Sequence, residues 1–287
     1  MKTGILRLAV QKSGRLRDGS LRLLKETGIK LDNGQDQLRV RTPNFPLEIL
    51  FLRNSDIPNY VRDGVADIAI VGENLVSEKG EDLKIQLKLG FARCRLSLAV
   101  PKAVDYPGPE FWEGKRIATS YPSSLRKFLD EHNINAAIHE ISGSVEIAPN
   151  IGLADGICDL VSSGSTLFQN RLKEVEKILD SEAVLVSGQH LVPEKQEILD
   201  KLLFRLQAVL AASSNKYILL NAPNDRLEEI TGILPGMKSP TIMPLGLRGW
   251  SSVHSVIGEE DFWNVIDRLK DAGAQGILVV PIEKMVR

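Results

Sequence analysis

An aliphatic run at Ile157–Val161 carries an acid, Asp159, and empties into Ser162-Ser163-Gly164-Ser165-Thr166-Leu167, four hydroxyl residues around one glycine, with helical sequence beyond. Residues of this kind suit a phosphate monoester. A glycine lets the backbone approach the anion, the free N–H groups of a helix start point at it, and the hydroxyls of Ser163, Ser165 and Thr166 add donors. The helix dipole contributes about 0.3–1 kcal/mol toward a bound anion. Asp155 and Asp159 stand just upstream as acceptors for a sugar diol. A Ser/Gly turn without a ligand has the same composition, and glycine count alone does not separate the two readings.

A second cluster, Gln11-Lys12-Ser13-Gly14-Arg15-Leu16, follows the strand-like Ile5–Val10. It falls at the carboxyl end of a strand, where open α/β sheets place their ligands. Two cations around a glycine suit a pyrophosphate, Lys12 as a point charge and Arg15 as a bidentate fork. Taken alone, the same residues also read as a solvated basic turn. Val71-Gly72-Glu73-Asn74 again follows a strand and offers a third rim to the same crevice.

Missing signatures narrow the chemistry. The sequence has no Walker A element and no GxGxxG after a strand, so a nucleotide is not held by those devices. His139-Glu140 opens like a zinc-protease motif, but Gly143 stands where the second histidine belongs. With no metal-ligand cluster, a metal is expected only in company with a phosphorylated substrate. Cys158, inside an apolar strand, reads as a buried filler.

The elements that must position these residues alternate. Strands are expected at Ile5–Val10, Glu48–Arg53, Ile68–Val71 and Arg95–Val100. A helix runs from Arg15 toward Gly28, and another starts near Asp56 as its cap, with Pro58 in its first turn and Gly64 at its end. Pro101–Glu113 is rich in Pro, Gly and aromatic residues and reads as a crossover between lobes. Beyond it come strands at Arg116–Thr119, Ala136–Ile141, Ile157–Val161 and Ala183–Val186. Helices are expected from a Ser123 cap to about His132, at Val145–Leu153, after Leu167 and at Pro193–Leu210. This alternation implies mainly parallel sheets covered on both faces. The grammar then changes to strand, helix, strand, strand, helix, strand at Tyr217–Ala222, Asp225–Leu234, Thr241–Leu245, Ser251–Ile257, Glu260–Ala272 and Gly276–Val280, the ferredoxin-like split unit.

Composition agrees with a folded globular chain. Its 287 residues are 43% hydrophobic and 25% charged, room for two or three domains at roughly 100–200 residues each. Lys+Arg 36 against Asp+Glu 37 leaves a formal charge of −1, without the field of a general nucleic-acid binder. No apolar run approaches the ~20 residues of a membrane span, and the opening stretch lacks the apolar core of a secretion signal. Two separated cysteines, Cys94 and Cys158, suit free thiols in the cytoplasm.

Together, Glu146, Gly152, Ala154, Ile157, Asp159-Leu160, Ser163-Gly164 and Thr166-Leu167 reproduce the signature of the ATP phosphoribosyltransferase family. Gln11–Leu16, Arg93–Ala99, Gly114–Pro122 and Pro281–Met285 also look like that family, so the resemblance covers essentially the whole chain. With its C-terminal module the sequence is similar to the long form. A joint match of this kind outweighs the ligand-free turn at Ser163–Thr166.

The resemblance implies an α/β fold: a two-lobed core like type II periplasmic binding proteins, plus a ferredoxin-like (ACT-like) βαββαβ regulatory domain. One lobe would take residues 1–103 with a return at 182–200, the other 104–181, and the regulatory domain 212–287. It implies attack of ATP N1 on C1 of 5-phosphoribosyl 1-pyrophosphate, with Mg²⁺ as cofactor, in the first step of histidine biosynthesis. Carried over by position, Ser162, Ser163, Gly164, Ser165, Thr166 and Leu167 would hold the sugar phosphate, with Asp155, Asp159 and Glu146 nearby. Lys12, Gly14 and Arg15 would face the pyrophosphate, and Glu73, Arg95 and Tyr121 would rim the ATP pocket. Histidine would bind the C-terminal module near Asn221, Asp225, Thr241 and Met243 and inhibit a homo-oligomer, dimer to hexamer. Two other classes are a two-lobed binding protein without turnover and a weakly active regulatory subunit. The pairing of Lys12 and Arg15 with an intact Ser163–Leu167 loop favours the enzyme.

Overall fold

In the computed structural model the described residues are 4–31, 38–80, 82–234 and 239–286. They form two compact units, residues 1–25 with 29–199, and residues 26–28 with 200–287. The first unit begins with β1 (Leu6–Gln11), α1 (Arg15–Glu26), β2 (Arg39–Arg41), β3 (Leu47–Leu52), α2 (Ile57–Arg62), β4 (Ile68–Gly72), α3 (Glu73–Lys79) and β5 (Lys84–Lys88). A second lobe follows: β6 (Cys94–Pro101), β7 (Arg116–Thr119), α4 (Pro122–Glu131), β8 (Ala137–Glu140), β9 (Gly156–Val161), α5 (Ser165–Gln169) and β10 (Leu172–Ser181). The chain then returns to the first lobe as β11 (Ala183–Ser187) and leaves in α6 (Pro193–Ser213).

The first lobe is a six-stranded sheet in the order β2-β3-β1-β4-β11-β5. β1 runs parallel to β3 and β4, and β11 is antiparallel to β4 and β5. Its central strands are covered on both faces, so they read as unbroken apolar runs: Ile68–Val71 and Ala183–Val186 are entirely buried. Ile57, Val61 and Leu75 from α2 and α3 pack on Ala9, Ala69, Val71 and Val184. The second lobe is a five-stranded sheet in the order β10-β6-β9-β7-β8, with β7 parallel to β8 and β9.

The lobe boundary differs from the expected residue 103. β6 pairs with β9 and β10, so the chain crosses between Lys88 and Cys94, before that strand. The chain returns to the first lobe after Glu182, in β11. Pro101–Glu113 is a loop of the second lobe, anchored by fully buried Trp112 and its edge contact with Phe111. Gly156 makes room for that ring; a Cβ there would stand 2.4 Å from it.

Four helical expectations change. The stretch after Leu167 holds only the short α5, and Leu172–Ser181 is a ten-residue strand, antiparallel to β6. Val175, Ile178 and Leu179 have helical spacing, but pairing along β6 outweighs local propensity. Val145–Leu153 gives only a 3₁₀ turn at Val145–Ile147, because Pro149 and the left-handed Gly152 stop it. Neither Asp56 nor Ser123 caps its helix with its side chain.

The second unit contains β12 (Asn215–Pro223), α7 (Leu227–Ile233), β13 (Thr241–Pro244), β14 (Trp250–Gly258), α8 (Phe262–Asp271) and β15 (Gln275–Pro281). The strands are antiparallel in the order β13-β14-β12-β15, the ferredoxin-like arrangement expected. Alternation puts Ile218, Leu220, Ala222 and Val253 into a core with Ile230 of α7 and Leu269 of α8. The compact unit also takes in the end of α6 from Asp200, ahead of β12.

Candidate active site

β7, β8 and β9 are parallel, so the loops after them open on one edge of the second sheet. β9 ends at Val161 and the chain turns through Gly164 at φ +77°, a left-handed conformation that favours glycine, into α5 at Ser165. The first N–H groups of a helix have no partner within it. The Ser163 and Ser165 hydroxyls lie 3.0 Å apart. Leu167 is buried and anchors the loop from below. Ser162–Leu167, Asp159 and Glu146 line one cavity of about 110 Å³. Eight of the nine residues assigned to the sugar phosphate and its surroundings line it, all six of the loop and two carboxylates. Burial pushes the Asp159 carboxyl up, and the charge of Glu146 pushes it further.

Asp155 is not brought there. An extended strand separates it from Ser162, and its carboxylate accepts from the Arg116 backbone N–H at 2.9 Å and from Nη2 at 3.2 Å. Those hydrogen bonds, with the guanidinium charge, hold it below the usual carboxylate range. Its role is to tie β9 to β7. Gly14, assigned to the pyrophosphate with Lys12 and Arg15, belongs to the first lobe.

In the first lobe, Lys12, Gly14 and Arg15 form the turn from β1 into α1, with Gly14 at φ +90°. Lys12 and Arg15 are exposed. The Lys12 N–H donates to the Leu52 carbonyl at 2.8 Å, and parallel register pairs Gln11 with Leu52. Arg53, exposed at the end of β3, therefore stands next to Lys12 as a third cation of this edge. The sequence reading passed over it, although it closes the expected strand Glu48–Arg53.

Arg95 is held by Glu174 through two hydrogen bonds and reaches the Ser162 carbonyl at 3.5 Å. Hydrogen bonding to Arg95 keeps the Glu174 carboxyl low. Tyr121 follows β7; burial raises its phenol, and the Asp159 charge adds to that. Arg95 thus touches the loop at Ser162 and Tyr121 feels the Asp159 charge, but neither lines the cavity itself. Glu73 stands apart at the lobe crossing, where its carboxylate takes Lys88 Nζ at 3.0 Å and its N–H donates to the Glu182 carbonyl.

In the second unit, register aligns Asn221, Ser252 and Met243 in one row across β12, β14 and β13, and Leu219, His254 and Thr241 in the next. Tyr217 Oη lies 2.8 Å from His254 Nδ1, and Ser252 Oγ lies 2.9 Å from Nε2. Asn221, Thr241 and Met243 share the sheet face away from the helices, while Asp225 lies in the 3₁₀ turn after β12.

A family profile described as ATP phosphoribosyltransferase matches residues 53–208, and one described as HisG, C-terminal domain, matches residues 212–284. An ATP phosphoribosyltransferase of Cytophaga hutchinsonii is 57% identical over 283 residues, 99% of each chain. That of Parabacteroides distasonis is 58% identical over 282 residues, 98% of this chain and 100% of its own. Among solved structures, a chain of the ATP phosphoribosyl transferase (HisG:HisZ) complex from Thermotoga maritima is 30% identical with a TM-score of 0.62, over 71% of this chain and 97% of that one. With these matches over its two-lobed core and C-terminal unit, the chain belongs to the ATP phosphoribosyltransferase family.

Proposed function

We propose that the reaction is carried by two anion-binding edges, the Ser162–Leu167 loop with Asp159 and Glu146 for the phosphoribosyl group, and Lys12, Gly14 and Arg15 for the pyrophosphate. The family's reaction joins N1 of ATP to C1 of 5-phosphoribosyl 1-pyrophosphate and releases pyrophosphate, the first step of histidine biosynthesis. The adenine nitrogen supplies the electron pair for the new bond, and pyrophosphate leaves with the pair of the broken C–O bond. This needs no covalent catalyst. It needs two polyanions held in line and the leaving charge neutralised.

The observation that carries the reading is the cavity that joins the hydroxyl loop to Asp159 and Glu146. The loop hydroxyls and N–H groups take the 5-phosphate, and the two carboxylates accept from the ribose hydroxyls. Lys12 and Arg15, with Arg53 beside them, hold the pyrophosphate. Arg95 and Tyr121 border the ATP side, and Glu73 acts at the crossing through Lys88.

Magnesium fits this donor set. Glu146 and Asp159 offer hard oxygens, and among the described residues no group of three or more His, Cys, Asp or Glu is placed to hold an ion alone. Such an ion takes its other ligands from phosphate oxygens and water. When bound, it neutralises charge on the leaving pyrophosphate.

The C-terminal unit binds histidine on its open sheet face near Asn221, Thr241 and Met243, with Asp225 at the rim, and lowers activity within a homo-oligomer, dimer to hexamer. Support comes from the polar row around His254 and from exposed Leu278 and Val280 on the edge strand β15. Both cysteines are free thiols, which suits the cytoplasm, and no described helix is long and apolar enough to cross a membrane. Crystals soaked with 5-phosphoribosyl 1-pyrophosphate and Mg²⁺ test the site. Sugar density against Ser163–Thr166 is expected, and density elsewhere overturns the assignment.

A further inference from the structure

α3 carries two buried polar side chains one turn apart, Asn74 and Glu78, 5% and 8% exposed. Residues at i and i+4 share a helix face, and both of these bond to segments of the second lobe. The Asn74 N–H donates to Ser181 Oγ at 3.0 Å, and its Oδ1 accepts from that hydroxyl at 2.9 Å. The Glu78 carboxylate accepts from the N–H groups of Ser123 and Ser124 and from the Ser124 hydroxyl, each at 2.8 Å. α4 has no side-chain cap of its own at Tyr121, so its N-terminal donors are satisfied from the other lobe. Opening the cleft here would strand a buried carboxylate and two backbone N–H groups.

We infer that Glu78 is a positioning residue for the family's reaction: its clasp on α4 holds the two lobes near working separation before substrate arrives, and fixes Tyr121, at the start of α4, within reach of the Asp159 charge. The inference rests on the cleft site proposed above. Asn74 at the crossing and Glu78 further along α3 make this helix a strut with two attachment points. An enzyme held this way binds substrate without first closing. If the clasp is lost, the competent arrangement becomes a fraction of the population, and apparent affinity falls by that fraction.

Hydrogen exchange of the Ser123 and Ser124 amides reads the clasp directly and needs no assignment of the substrate site. In the full-length enzyme these amides are expected to be protected without ligand. In Glu78→Gln they should exchange quickly, and regain protection when ATP, 5-phosphoribosyl 1-pyrophosphate and Mg²⁺ are added. KM for both substrates should rise about tenfold with kcat within about twofold, as a tenfold fall in the competent fraction requires. If Glu78→Gln does not fold, Ser124→Ala removes one of the three donors and should raise both KM values about two- to threefold. A lower melting temperature with unchanged KM in the variant that folds, or a fall in kcat at constant KM, overturns the inference. Altered exchange together with unchanged kinetics sinks the positioning role and leaves the substrate site standing. Normal exchange of these amides in Glu78→Gln also overturns it, whereas fast exchange and raised KM with substrate density away from Ser163–Thr166 leave the clasp standing and sink only the site assignment.

Discussion

Asp159 and Glu146 place two carboxylates on one cavity, and burial together with the Glu146 charge holds the Asp159 carboxyl above its ordinary range. Between its unfolded and folded values the native chain binds the extra proton, so this group makes stability fall as pH rises through that window. Asp159→Asn removes the buried charge. It should melt higher than the parent at neutral pH, while KM for 5-phosphoribosyl 1-pyrophosphate rises about tenfold or more. Thermal unfolding and steady-state kinetics on one preparation check both. Unchanged KM would mean that the carboxylate does not meet the sugar.

The Ser162–Leu167 loop, proposed for the sugar phosphate, separates donor from backbone. Thr166→Ala takes away one hydroxyl donor at an exposed position and should raise the same KM about tenfold without moving the melting temperature. Gly164→Ala meets no atom within 4 Å, but it forces a side chain into φ +77°. That strain costs about 1–2 kcal/mol and should appear in stability as well as in KM. Equal stability loss in the two variants would contradict this division.

Most of this site is legible in the sequence because strand ends are. The aliphatic run Ile157–Val161 and the glycine at 164 locate the loop to the residue, and the Gln11–Leu16 turn likewise falls at the end of β1. Asp155 and Asp159 look equivalent in the sequence, four residues apart. Only an extended strand between them sends one to Arg116 and the other to the cavity. β10 is hidden because Val175, Ile178 and Leu179 sit at spacings that a helix also uses, and the partner that decides, β6, is far away in the chain. The early crossing follows from the same pairing. Glu78 has no local signal: nothing near it in the chain says that its partners are Ser123 and Ser124.

Arg15 opens α1 with its side chain exposed, so its loss should leave the fold unchanged. Arg15→Ala should lower kcat about tenfold to a hundredfold through the missing charge-assisted contact to pyrophosphate. Circular dichroism and melting alongside kinetics test this. An unfolded variant would make Arg15 a structural residue.

Thr241 and His254 are register partners on the sheet face proposed for histidine. Thr241 is exposed on an edge strand, so Thr241→Ala should cost little stability and leave kcat unchanged. Inhibition by histidine should weaken about tenfold. Inhibition curves that superimpose on the parent's would move the regulatory site off this face.

Asp155 provides the contrast to Asp159. Hydrogen bonds from Arg116 hold its carboxyl low, so it contributes stability that is fully present above the ordinary carboxylate range and is lost as pH falls through the folded value. Its side chain is 35% exposed, and screening keeps the contribution to about 1 kcal/mol. Asp155→Asn should therefore lower the urea midpoint at neutral pH and converge with the parent at acid pH, while KM for 5-phosphoribosyl 1-pyrophosphate stays the same. A raised KM at unchanged stability would return Asp155 to the ribose and break the reading that β9 sends only Asp159 to the cavity.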